Sequence, residues 1–565
     1  VTVPRWSLAE READLARAER EGVDLLVIGG GITGAGVLRD AATRGLRALL
    51  VEREDFASGT SSRSSKFVHG GIRYIAQGQL GMTRTACRER DHLLRLAPHL
   101  VEPIPFLFPA YRDSRLPLWQ VRTALWVYAG LANFRRSSRF RMLDPEAVQR
   151  FSRDLRTEGL RGAGLYYDAQ VDDARLVLET LRSARALGCP AVNHAEVVEF
   201  LPRSPSAGET GTPSPRRVAG VRVRDRLAER DRRIRATVVV NAAGPAVDRV
   251  RGLDCPVRRP ELRPAKGVHL VIPGGRIHTR GAVTFEAPDG RHLFLAPWGD
   301  AALIGTTDTF TREVDEPVVT IDEVHYLLSA ANRAFPSVGL TTNDLRSVFA
   351  GVRPLAAEAE EGTPPSSVSR EDRLYRDPSG LLSAVGGKLT TYRATGEKIV
   401  DQVVRRLPAE RRRALGRSRT LELPLRADDF DRSELETELR LRFGVGPVQA
   451  AHLVRTYGVE AEALLREAPP TQRRAIGRSR YTLAEVPWCI ATECAATLSD
   501  VLERRVRAAV FADGQGLPQL AAIAEAAAGR AGWDADRTRA ETLAYVAAVR
   551  RGYQIVAPAR KRSAA

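Results

Sequence analysis

Four short segments hold residues suited to redox chemistry on a charged small molecule. Residues 29–34 read GGGITG and contain G-x-G-x-x-G as Gly29, Gly31 and Gly34. In that spacing the first glycine allows a tight turn, the second lets backbone approach a pyrophosphate, and the third permits close packing of helix on strand. The pyrophosphate would sit at the helix N-terminus, where unpaired N–H groups point at it. Glu52 follows at a distance suited to gripping ribose hydroxyls. Further along, HGGIRY supplies His69, Arg73 and Tyr74, FAGVRPL supplies Arg353, and GGKLTTYR supplies Lys388. Two arginines and a lysine in glycine-anchored loops suit a phosphate clamp, because a guanidinium bonds two oxygens at once. A neutral imidazole suits general-base work near pH 7. Taken singly, a histidine beside glycines or an arginine in so basic a chain is an ordinary structural or surface residue. The local motifs nominate these, not the composition.

The elements that must position them can be read in outline. Residues 24–28 (DLLVI) form a short strand, 35–44 have helical composition, and 46–52 (LRALLVE) form the next strand, a β-α-β opening. Residues 53–80 form a basic Gly/Ser-rich loop region, and 82–97 a helix. Pro98, Pro103, Pro105, Pro109 and Pro117 then break the chain into short pieces. A helix is expected over 171–187, a strand pair at 194–200 and 217–224 with a mobile loop between, and a strongly β-forming run at 234–241. Candidate strands at 268–272, 292–296 and 302–304 suggest a second, antiparallel sheet. A buried strand at 381–385 leads through Gly386 and Gly387 to a helix beginning near Leu389. From about 400 the composition becomes rich in Ala, Leu, Arg and Glu with helical spacing.

The single clean dinucleotide fingerprint, joined by two further strand-to-small-residue turns at 238–245 (VVVNAAGP) and 383–393 (SAVGGKLTTYR), favours FAD over NAD. The chain has 565 residues, which predicts two to four domains. Its formal charge of +17 favours anionic partners without choosing among nucleic acid, lipid and a phosphorylated metabolite. Zinc-finger spacing, RNA-binding aromatic motifs and a basic zipper are lacking, so a nucleic-acid role is set aside. Nine scattered histidines and five cysteines without C-x-x-C argue against a metal enzyme and a disulfide scaffold, and no metal site is expected. No signal-peptide pattern and no apolar run of 18 residues is present. The nearest approach, ALWVYAGL at 124–131, is followed by Arg135, Arg136, Arg139 and Arg141, a combination suited to a membrane surface.

VIGGGITGAGVLRDAATRGL, VEREDFASGTSSRSSKFVHGGIRY, VVNAAGP, LIGTTDT, FAGVRPL, GGKLTTYR and the late TLSDVLERRVR (497–507) resemble the FAD-dependent glycerol-3-phosphate dehydrogenases, over roughly residues 20–530. The resemblance implies an α/β FAD-binding domain of glutathione-reductase type, an antiparallel-sheet substrate domain and an all-helical C-terminal domain. The expected boundaries are FAD-binding segments at about 20–80, 165–260 and 340–400, substrate-domain segments at about 81–164 and 261–339, a linker over 401–430 and the helical domain over 431–555. It implies non-covalent FAD held by Gly29, Gly31, Ile32, Thr33, Gly34, Glu52, Thr60, Ser61, Ser65, Lys66, Gly244, Gly387, Leu389 and Thr390. It makes His69, Arg73, Tyr74, Arg353 and Lys388 the active-site set, with a hydride leaving C2 of sn-glycerol 3-phosphate for flavin N5 and dihydroxyacetone phosphate as product. His69 is the first general base to consider, and Lys388 its rival. A quinone is the expected acceptor, with the oxygen-using oxidase as the alternative. A homodimer, a cytoplasmic location and peripheral contact with anionic membrane complete the expectation.

Overall fold

The computed structural model describes residues 5–76, 78–202, 217–255, 260–357, 372–426 and 430–556. The expected loop over 203–216 lies outside them. Two large sheets and a C-terminal helical region enclose one deep cavity.

The first sheet has a parallel centre. Strands run in the spatial order Leu382–Val385, Arg230–Asn241, Val23–Ile28, Ala48–Val51 and Ala191–Val192, each parallel to its neighbour. Helices cover it, so its strands read as continuous apolar runs rather than alternating ones. Leu25, Val27 and Leu50 are fully buried in one core, and Leu26, Leu49 and Val239 belong to the core on the opposite face. Each such side chain removed from water contributes roughly 1.5–3 kcal/mol. The first half of the long strand Arg230–Asn241 leaves this parallel set and pairs antiparallel with Val218–Asp225, which pairs with Ala195–Pro202, as the expected strand pair requires. The charged lead-in forms a capped helix, Leu8–Glu21, with a Ser7/Glu10 capping box. Its Arg11 is buried against Asp225 at 2.9 Å.

The second sheet has ten strands, antiparallel except where Ala282–Glu286 runs parallel to Glu102–Tyr111. Its centre is Ala265–Pro273, which pairs with Ala301–Gly305 on one side and Ser347–Arg353 on the other. The strand Ser347–Arg353 thus belongs to this second sheet, although it falls in a segment read with the FAD-binding part. Helix Ile321–Ala334, capped by Thr320 and Glu323, packs on its outer face.

The largest departure from the sequence reading is Glu102–Tyr111. Its prolines were expected to break the chain, yet it is a ten-residue strand. Pro103, Pro105 and Pro109 share one parity in the ladder with Leu160–Gln170. Their missing N–H groups therefore face one edge, which Ala282–Glu286 covers only at Phe106 and Leu107.

The C-terminal region is built from helices including Arg432–Phe443, Pro447–Tyr457, Glu485–Thr492, Leu520–Ala531 and Ala535–Gly552. It is fused to the large sheet: Val271, Trp298 and Phe349 share a core with Val501, Phe511 and Tyr545. Its last described residues leave the helical regime, Ile555–Val556 pairing with Val319–Thr320. No helix among the described residues is long and apolar enough to cross a membrane.

Candidate active site

The cavity, of about 1460 Å³, opens where the parallel strands end. Ligands of open α/β sheets bind at the carboxyl ends of the strands. Gly29 follows the first strand with φ 110°, and a Cβ there would lie 2.6 Å from the Ala242 carbonyl oxygen. Gly31 is the N-cap of helix Ile32–Arg44 and offers no side chain to its first N–H groups. Ser61 Oγ accepts from Ile32 N at 2.9 Å. A Cβ on Gly34 would lie 2.0 Å from the Gly29 carbonyl oxygen, so only glycine lets this helix seat on this strand. Glu52 closes the second strand and accepts from Gly30 N at 2.6 Å and Glu54 N at 2.9 Å. Burial raises its carboxyl pKa, against the pull of those two N–H donors. The turns after the other parallel strands bring Gly244 (φ 57°), Gly386 (φ 81°) and Gly387 (φ 100°) to the same wall. A glycine cradle beside an uncapped helix N-terminus, with a carboxylate at the next strand end, fits a dinucleotide such as FAD.

Ile32, Thr33, Thr60, Ser61, Ser65, Leu389 and Thr390 also line the cavity. Gly34 packs behind it. Lys66, read as a cofactor contact, points away: its fully buried Nζ donates to both Asp173 oxygens and to the Ser62 carbonyl, each at 2.7 Å. Burial and the Arg507 charge push its ammonium pKa down to about 8, against Asp173.

His69, Arg353 and Lys388 lie on the same cavity. The segment carrying His69 is locked from both sides. His69 N donates to Thr390 Oγ1 at 3.2 Å, and Gly70 N donates to Tyr128 Oη at 3.0 Å and Asp168 Oδ1 at 3.1 Å. Tyr128, Asp168 and Arg90 form a buried hydrogen-bonded group beneath it, Asp168 Oδ1 accepting from Tyr128 Oη at 2.6 Å and from Arg90 Nη1 at 2.8 Å. Tyr74 is buried rather than lining the cavity, and Lys388 Nζ sits 4.2 Å from its ring centroid. Arg353 ends its strand with Nη1 2.6 Å from Asp308 Oδ1 and Nη2 3.0 Å from Thr306 Oγ1. Gly267 lies opposite, where a Cβ would come within 2.5 Å of Nη2. Arg73 starts the short helix Arg73–Ala76, and its side chain lies outside the described residues.

One cavity residue escaped the sequence reading. His269 stands within the strand Ala265–Pro273, its Nε2 2.8 Å from Ser65 Oγ and its ring stacked on Phe349 at 4.9 Å. Burial, with Arg353 and Lys66 nearby, pushes its pKa down to about 3, so the imidazole is neutral at working pH. Its signal was a histidine inside the otherwise apolar run VHLVI.

A parallel sheet with this turn, joined to a curled antiparallel sheet over one shared cavity, defines a dinucleotide-dependent oxidoreductase. Residues 24–402 match the FAD dependent oxidoreductase family, and residues 418–538 match the C-terminal domain of alpha-glycerophosphate oxidase. The chain is 34% identical over 511 residues to the aerobic glycerol-3-phosphate dehydrogenase of Bacillus subtilis, covering 89% of this chain and 90% of that protein. It is 35% identical over 508 residues to the enzyme of the same name from Staphylococcus aureus, covering 88% and 89%. The X-ray structure of the glycerol-3-phosphate dehydrogenase from Bacillus halodurans complexed with FAD superposes with a TM-score of 0.76 at 29% identity, covering 97% of this chain and 98% of that one. The chain belongs to the FAD-dependent oxidoreductases, in the family of the aerobic glycerol-3-phosphate dehydrogenases.

Proposed function

We propose that this chain oxidises sn-glycerol 3-phosphate to dihydroxyacetone phosphate with FAD and passes the electrons to a quinone. The observation that carries the substrate is the placing of Arg353, Lys388 and His69 on a cavity continuous with the glycine cradle. Bound FAD supplies the hydride acceptor. Arg353 holds the phosphate through its planar fork, already oriented by Asp308 and Thr306. Lys388 adds positive charge and steers the hydroxyl. His69, on the cavity wall with Lys388 and Arg353, takes the hydroxyl proton. His269 instead orients Ser65 on the cavity wall. The roles of Arg73 in phosphate binding and of Tyr74 in seating Lys388 complete the site. Reduction of the FAD-loaded chain by sn-glycerol 3-phosphate without oxygen is the test, and no reduction rejects the reading.

The quinone rests on helix Leu118–Leu131. One face lines the cavity through Gln120, Val121 and Ala124, next to Ile75 and Leu116. The other face exposes Trp119 (66%) and Trp126 (56%), with Phe134 (60%) just beyond and Arg122 beside them. Aromatic and basic side chains on one surface suit an anionic membrane, and the apolar inner face suits a lipid-soluble acceptor. A Trp119→Glu/Trp126→Glu variant is expected to bind anionic vesicles at least ~10-fold more weakly and to lose quinone reduction there, while substrate still reduces its flavin. Unchanged vesicle binding contradicts the assignment. The oxidase reading draws on the match of residues 418–538. It predicts stoichiometric peroxide in air and no gain from quinone.

A further inference from the structure

The motif TLSDVLERRVR at 497–507 has no part in the chemistry above, yet it delivers three arginines to the loop that borders the cofactor cradle. That loop joins the strands Ala48–Val51 and Phe67–Val68 and lines the cavity along much of its course, from Glu52 to Ser65. It has little structure of its own, a single turn of 3-10 helix at Thr60–Ser62. Ala57 (φ 61°) and Lys66 (φ 63°) sit in left-handed backbone conformations that need outside support.

The support comes from the C-terminal domain. Near the start of the loop, the fully buried Asp55 carboxylate accepts from Arg504 Nε at 2.5 Å and Arg505 Nη2 at 3.0 Å. The two adjacent arginines converge on it from a wide turn, Asp500–Arg505, closed by Val506 N donating to Val501 O at 2.8 Å. Near its end, Arg507 donates to the Ser62 carbonyl at 2.8 Å and to Asp173 at 3.1 Å. Asp173 in turn accepts from Lys66 Nζ at 2.7 Å, Ser64 N at 2.9 Å and Ser64 Oγ at 2.7 Å. Asp55, His194 and Asp500 come close enough to hold a cation, but the guanidiniums already occupy both carboxylates.

We infer that the C-terminal domain clamps the cofactor loop, with Arg504 and Arg505 fixing its start through Asp55 and Arg507 fixing its end through Asp173 and Ser62. The three are positioning residues for FAD. The energetics favour this over a purely stabilising role. Burying paired charges carries a desolvation cost, and apolar replacements are often as stable. What the pairs add is position: they tie Asp55, Asp173 and the Ser62 carbonyl to the packed helical region. Ser61, which takes a helix N–H at the pyrophosphate end, and Ser65, which holds His269, ride on the clamped segment. The clamp rests on FAD occupying the cavity, and a wild-type FAD titration run alongside separates failure of that reading from failure of the clamp.

The test uses the full chain, with FAD affinity from flavin fluorescence and amide hydrogen exchange. Arg507→Gln is expected to weaken FAD binding roughly tenfold or more, with faster exchange across 53–66, and Arg507→Lys to recover part of the loss. Arg182→Gln breaks a pairing to the C-terminal domain, with the buried Glu493 at 2.8 Å and the partly exposed Glu460 at 2.7 Å, without touching the loop. It should lower the Tm yet keep FAD affinity within about twofold of wild type. In the wild-type chain, adding FAD should slow exchange in 497–507 as well as in 53–66. An Arg507→Gln variant that binds FAD within about twofold of wild type overturns the clamp. So does unchanged exchange across 497–507 on FAD addition, a result that needs no variant to fold.

Discussion

Replacing Arg353 with alanine is expected to lower kcat/KM for sn-glycerol 3-phosphate by about 100-fold or more, with FAD still bound. Hydrogen bonds to charged groups contribute about 1.5–3 kcal/mol each, and a fork on a phosphate makes two. The side chain lies on the cavity wall at the end of the strand Ser347–Arg353, tied to Asp308 and Thr306. Its loss removes the phosphate's partner and also leaves the Asp308 carboxylate, 5% exposed, facing the site. Arg353→Lys should recover only part of the activity, because an ammonium keeps the charge and loses the planar fork. Loss concentrated in KM would mean Arg353 grips substrate and transition state alike, and loss in kcat that it aligns C2 for transfer. An alanine variant with kcat/KM within a few-fold of wild type removes Arg353 from the site.

The second large effect separates cofactor binding from folding at neighbouring glycines. Gly31→Ala is expected to leave the apo chain folded and to weaken FAD binding by ~100-fold. At Gly31 φ is −82°, which any residue adopts, and a Cβ would meet only Ser61 Oγ, at 3.1 Å. The added methyl instead takes the space a pyrophosphate would use, at an N-cap whose N–H groups must face that anion. Gly34→Ala should lose FAD and fold stability together, because its methyl would lie 2.0 Å from the Gly29 carbonyl and force helix from strand. Overpacking a close contact of this kind costs on the order of 1–3 kcal/mol. Thermal melts of the apo chains, read beside FAD titrations, distinguish the two. Equal FAD affinity in Gly31→Ala and wild type would place the pyrophosphate elsewhere.

The parallel sheet was legible because its strands are buried on both faces and read as unbroken apolar runs bounded by glycine turns. The glycine turn after the first strand was legible because local backbone geometry and local sequence coincide there. The strand Glu102–Tyr111 was not, because proline's missing N–H matters only if a neighbour needs it, and which edge is open depends on distant Ala282–Glu286. His269 hid inside a strand pattern, as its partners Ser65 and Phe349 are remote in sequence. Lys66 was nominated by the resemblance of its motif, yet Asp173, more than 100 residues on, takes its charge. The contacts made by the linker over 401–430 were not legible either: Leu425 N donates to Leu96 O at 2.8 Å and Ser418 Oγ to Asp40 at 2.6 Å. Such long-range pairings of charge and edge are set by topology, and periodicity does not carry them.

In the proposed reaction a phosphate-gripping cavity delivers sn-glycerol 3-phosphate to FAD. Its most direct test is anaerobic titration of the FAD-loaded, folded chain, following the visible flavin absorption, with glycerol in a parallel cell. Stoichiometric bleaching by the phosphate ester and none by glycerol is expected, because Arg353 and Lys388 act on the phosphate. Flavin that stays oxidised with the ester, or bleaches equally with glycerol, would contradict it.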